Sequence, residues 1–200
     1  LIILFLKPAN GEPLGPEVAS TLLPSAALSV LLLSSVTELI VNPTLAAAAS
    51  ITDGGSTTNT FSISGAVTFV VLGAFPAVFE NVALASTSIV RYQANGAQNI
   101  YSVLSPGYGT LQLYAVTAGT TTTKTAGGDL FIQTGVTLGN GGTDNNVTLS
   151  MNNYSMTLSG TSFVQQTGAP QVSWGTGTMI QNGAGWNIDA DITGFNNLII

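Results

Sequence analysis

Apolar and polar residues alternate cleanly from Phe61-Ser62-Ile63-Ser64 through Val67-Thr68-Phe69. A period of two marks a half-buried strand and puts Phe61, Ile63, Val67 and Phe69 on one face. Residues 82–92 predict a second strand, closed by the hairpin-type dipeptide Asn95-Gly96. Residues 100–104 and 111–117 follow, parted by the turn Ser105-Pro106-Gly107. Beyond residue 119 the breaks are rich in Gly, Asn and Thr: 120–123, 127–128, 140–142 and 182–183. They separate short strand candidates at 130–133, 136–138, 147–151, 154–159, 163–165, 172–174 and 186–192. Upstream, residues 1–50 are aliphatic but interrupted by Pro8, Pro13, Pro16, Pro24 and Pro43, which bar a long regular element. Leu1, Ile2, Ile3, Leu4, Phe5 and Leu6 form a bare apolar strand, while 17–40 fits either a short helix starting at Pro16-Glu17 or Ser-rich β structure.

A turn signal about every 8–12 residues predicts a sandwich, barrel or solenoid. The expected class is therefore all-β: a β-sandwich or jelly-roll-like domain of short strands, solenoid-like toward the C-terminus. Residues 1–50 read as an apolar assembly segment and 51–200 as a β domain, with a candidate internal boundary near 118–128. Asp129-Leu130-Phe131-Ile132, Val147-Thr148-Leu149-Ser150 and Ser162-Phe163-Val164-Gln165 recur at roughly 15–20 residues, close to one β-helix turn. Together with Gly175-Thr176-Gly177-Thr178-Met179-Ile180 and Ile192-Thr193-Gly194-Phe195, they give residues 125–200 a texture that resembles the rungs of right-handed β-helices in secreted adhesins and phage tail proteins. The resemblance implies a stacked-turn fold and an extracellular or virion setting.

Charge narrows the chemistry sharply. Nine acidic and three basic residues in 200, with no His and no Cys, leave neither a Ser-His-Asp or Cys-His nucleophile system nor an imidazole or thiolate metal site. Lys7, Arg91 and Lys124 lie far apart and the net charge is −6, so neither nucleic acid nor a polybasic membrane site is expected. Asp189 and Asp191 share one face of a predicted strand, which makes them candidates for a Ca²⁺ site or, with Trp186, for carbohydrate chemistry. No catalytic residue is assigned, and an enzyme is not expected. Asp129, Asp144, Asn145 and Asn146 form a second oxygen-rich region that turn formation explains. Asn146-Val147-Thr148 and Asn153-Tyr154-Ser155 match the N-glycosylation acceptor pattern, making Asn146 and Asn153 candidate sites. Trp174, Trp186, Tyr108 and Tyr114 could line a sugar surface, although aromatics in a sheet are more often core.

Soluble β proteins protect their edge strands with charge, and this chain has little. The expected function is that of a structural subunit pairing with copies of itself through Leu1–Leu6, in an extracellular, cell-surface or virion assembly. The alternatives are a glycan-binding or carbohydrate-active solenoid, and a surface protein anchored through 22–41, a stretch broken by Pro24, four serines, Thr37 and Glu38. That same stretch also fits a secretory segment with Ala46-Ala47-Ala48 downstream, although Glu12 and Glu17 precede it. Membrane association is not expected of the mature chain.

Overall fold

The computed structural model describes residues 5–8, 30–32, 36–41, 60–63, 65–75, 81–117, 119–139, 146–165, 171–184, 187–188 and 194–200. All regular structure among them is β. In chain order the strands are β1 (Phe5–Pro8), β2 (Val30–Leu32), β3 (Val36–Val41), β4 (Thr60–Ile63), β5 (Thr68–Val71) and β6 (Asn81–Leu84). There follow β7 (Ile89–Gln93), β8 (Gln98–Ile100), β9 (Tyr108–Tyr114), β10 (Thr121–Ala126), β11 (Leu130–Leu138) and β12 (Asn146–Ser150). The last six are β13 (Met156–Leu158), β14 (Ser162–Gln165), β15 (Gln171–Ser173), β16 (Thr178–Gln181), β17 (Asn187–Ile188) and β18 (Asn197–Ile199).

Every pairing is parallel except that of β1 with β3. Strands adjacent in sequence fall on different faces, and hydrogen bonds reach the equivalent strand one turn later. The molecule is a β-solenoid. Its sheets run β1-β3-β5-β7-β9-β11-β13-β16-β18, β15-β12-β10-β8 and β2-β4-β6, with β14 and β17 branching from β11. β11 carries the branch because its ladder shifts between Ile132 and Gly135: its first half pairs with β13 and its second with β14. One long strand thus serves two faces, which the next turn divides at Gly160.

Inward positions stack residue on like residue. Phe69, Val90, Leu111, Val136 and Phe163 form one in-register column, each no more than 1% exposed. Leu130, Met156 and Met179 form another. A parallel sheet needs such burial because its turns present their inner faces only to one another. Each fully buried Val, Leu or Phe contributes about 1.5–3 kcal/mol. Phe61, Phe69 and Phe75 add an aromatic cluster with centroids 5.1–5.8 Å apart, in which Phe75 meets the other two rings edge to face.

The expected all-β class holds, and so does the solenoid toward the C-terminus. Parallel stacking also extends upstream to β2 and β3, occupying the region where a sandwich was the leading expectation. Phe61, Ile63, Val67 and Phe69 all face inward, on two strands separated by a corner at Gly65 (φ 98°). Residues 82–92 are likewise two strands around a corner. Asn95-Gly96 makes a corner instead of a hairpin: β7 and β8 do not pair, and β8 joins β10. Residues 120–123, expected as a break, belong mostly to β10, because β-branched threonine suits a pleated sheet. The true period varies from turn to turn and mostly exceeds the recurrence read from sequence. Phe69 pairs with Val90 and Val90 with Leu111, 21 residues apart each time, while Leu130 and Met156 lie 26 apart and Met179 and Leu198 only 19. The 15–20-residue recurrence linked strands on different faces.

Candidate functional site

At each corner the chain leaves one sheet before entering the next, and its backbone groups need partners there. Side chains from neighbouring turns, most of them uncharged, supply them. Asn95 Oδ1 accepts from the amides of Val116 and Thr117 (2.9 Å each), and its Nδ2 donates to Thr117 Oγ1 at 2.8 Å. Asp129 Oδ1 accepts from Ser155 N at 2.8 Å, and Asn153 Oδ1 from Thr176 N at 2.9 Å. Carbonyls are met in the same way. Gln133 Nε2 donates to Leu84 O and Gly107 O (3.0 Å each), Thr134 Oγ1 to Ser86 O (2.7 Å), and Gln181 Nε2 to Gly160 O (2.7 Å). These bonds explain why Asn, Thr, Ser and Gln make up the polar complement. An amide or hydroxyl satisfies a corner at short range without charge.

Two buried polar clusters stand out among the described residues. Lys124 sits on β10 in phase with the inward Thr122 and Ala126, and it is fully buried. Its Nζ donates to Ala94 O (2.8 Å), Gly96 O (3.2 Å) and Gln98 Oε1 (2.6 Å), which uses all three protons. Gln98 is its register partner on β8, and Gln98 Nε2 in turn donates to Val71 O and Gly73 O at 2.9 Å. Burial pushes the Lys124 ammonium down from 10.5 to about 8. The second group is a closed ring. Tyr101 N donates to Tyr92 Oη (2.9 Å), Tyr92 Oη donates to Tyr108 Oη (3.1 Å), and Tyr108 Oη donates to Tyr101 O. Burial pushes both phenols far up. Sequence reasoning assigned no role to Lys124 or Tyr92. The signal for Lys124 was its phase in Thr-Thr-Thr-Lys-Thr-Ala, two residues before an inward alanine.

The sequence-predicted sites separate. Asp189, Asp191 and Trp186 lie outside the described residues, as do Leu1, Ile2, Ile3, Leu4, Asp144 and Asn145. Phe5 and Leu6 stand on β1, paired antiparallel with Ile40 and Leu39 of β3, so that one edge of this strand is already taken within the chain. Asn146 opens β12. Asn153 is exposed with φ 70°, in a left-handed corner that Asn tolerates, and its carboxamide oxygen is held by Thr176. Trp174 (2% exposed) and Tyr108 belong to the core. Tyr114 lies half-buried under the Arg91 guanidinium, 5.0 Å from its ring centroid, and Arg91 Nε also donates to Gln112 Oε1 at 2.8 Å. Among the described residues, no three acidic side chains gather where they could hold a metal ion.

The ends of the longest sheet are the remaining distinctive surface. β18 pairs with β16 and with no other described strand. Leu198, Ile199 and Ile200 are 41%, 54% and 70% exposed there. Within the stretch 22–41, the described parts are β2 and β3, and no helix among the described residues is long and apolar enough to cross a membrane.

No protein-family model matches the chain, and no curated protein or solved structure matches it either.

Proposed function

We propose that this chain is a non-enzymatic structural element that joins copies of itself by β-strand pairing, in an extracellular filament or virion-type assembly of the kind built from solenoid adhesins and phage tail proteins. The observation that carries the reading is β18: a parallel edge strand with one described neighbour and three consecutive exposed aliphatic residues, Leu198 to Ile200. An unpaired edge of that composition is a template for another strand. β1 lies at the opposite end of the same sheet and, among the described strands, pairs with β3 alone. A contact between unlike ends is heterologous and propagates as a thread. An interior whose buried polar groups are met largely by uncharged partners supports a passive, rigid role.

Light scattering after size exclusion, with negative-stain imaging, tests the proposal on the 200-residue chain. Concentration-dependent rods or oligomers are expected, and Leu198→Lys with Ile199→Lys should weaken association at least tenfold, about 1.4 kcal/mol. A wild-type chain that stays monomeric at high micromolar concentration would rule it out.

A further inference from the structure

The outer surface of the sheet formed by β8, β10, β12 and β15 carries a two-dimensional array of neutral hydrogen-bonding side chains. Asn99, Thr125, Ser150 and Ser173 are register partners across all four strands, and Thr123 and Thr148 stand in the adjoining column, which Gln171 continues on β15. In-register parallel pairing spaces neighbours in a column about 4.8 Å apart, with outward positions on one strand about 6.6 Å apart. The array is held from beneath. Ile100, Ala126, Val147 and Leu149 are buried under it, and the Lys124 bonds to Gln98 Oε1 and to two corner carbonyls lock β10 to β8.

The chemistry of the six Asn, Thr and Ser side chains selects a partner. A hydroxyl both donates and accepts, as water does, whereas an ionised group orients water around itself and breaks a lattice. Threonine adds a methyl that fills the space between hydroxyls. None of the six is aromatic, so the array offers no stacking platform for a sugar ring. We propose that this face binds a crystalline water surface, holding ice through a hydroxyl and methyl lattice of fixed spacing. The proposal is independent of self-assembly, which uses the sheet ends.

Partition of the purified chain into a slowly growing ice front, together with inhibition of ice recrystallisation, provides the test. Wild type should be enriched in ice at least tenfold over serum albumin. Thr123→Lys and Thr148→Lys should abolish enrichment, while Thr137→Lys on β11 should retain it. Asn99→Lys and Ser173→Lys, at exposed positions, repeat the test if either threonine variant fails to fold by circular dichroism. Exclusion of wild type from ice like albumin overturns the proposal. So does undiminished enrichment of the folded face variants, or retention on insoluble polysaccharide in place of ice. Unchanged oligomer size in the lysine variants separates this result from the assembly proposal.

Discussion

Lys124 is one of three basic side chains in the whole sequence, and its ammonium serves the interior. Lys124→Met would remove the ammonium from Ala94 O and Gln98 Oε1 and leave Gly96 O to Thr122 Oγ1 alone, which should destabilise the fold by about 1–3 kcal/mol at pH 7. The pH dependence has a definite sign. With the folded value depressed to about 8 and the unfolded one near 10.5, the unfolded chain retains a proton that the folded chain has released. Stability therefore rises as pH increases across that window. Tyr92 and Tyr108 act oppositely: their folded values are raised above the ordinary 10.0, so the stability they contribute is complete below about 10 and is lost as pH climbs further. Urea unfolding from pH 7 to 11 should show a maximum between roughly 9 and 10. Lys124→Met should remove the rising limb and leave the falling one. A flat wild-type profile from pH 8 to 10 would contradict the buried-ammonium account.

Between residues and turns stand the corners, where backbone passes over backbone with no room for a side chain. A Cβ on Gly160 would overlap the Thr134 carbonyl. Gly160→Ala should consequently destabilise by about 1–3 kcal/mol through overpacking. Gly96, by contrast, has open space around its Cβ position, and Gly96→Ala should change stability by no more than about 0.5 kcal/mol. Thermal melts of the two variants compare them directly; equal effects would refute the stacking role of Gly160. The corners also show how far the sequence could be read. Turn residues at 95–96, 105–107, 127–128 and 182–183 located real breaks, and the alternation around Phe61 and Phe69 identified inward positions. What it could not convey was the partner of each strand. A hairpin and a solenoid corner use the same Asn-Gly dipeptide, and what distinguishes them is long-range: β8 pairs with β10, and Asn95 reaches Val116 and Thr117, 21 and 22 residues on. Period also resisted reading, because turns of 19 residues (Met179 to Leu198) to 30 residues (Glu38 to Thr68) leave no fixed interval to detect. The inward lysine and tyrosine ring were hidden for a related reason: their partners are contributed by other turns.

At the scale of the whole molecule, each turn contacts mainly the turns before and after it, so stability is a sum of turns and their interfaces. The scarcity of charge fits that plan, since most described corners are met by amides and hydroxyls, with the Asp129 carboxylate and the Lys124 ammonium serving others. A defect in such an array should stay local. Phe163 stands in the same in-register column as Phe69, followed by Ile188 of β17, and it is fully buried. Phe163→Ala leaves a cavity expected to cost about 3–5 kcal/mol. Because β14 meets only β11 and β17 among the described strands, the loss should appear first in those three. Hydrogen exchange read by mass spectrometry should show faster exchange in β11, β14 and β17, with β5 and β7 keeping wild-type protection. Equal acceleration in all five strands would mean that the chain unfolds as one cooperative block. If β5 and β7 stay protected while the far turns open, the solenoid is a series of coupled turns, and an edge strand such as β18 is then held mainly by its own neighbour. That is the condition under which a further strand, docked on the edge of β18 away from β16, would stabilise the end of the stack most.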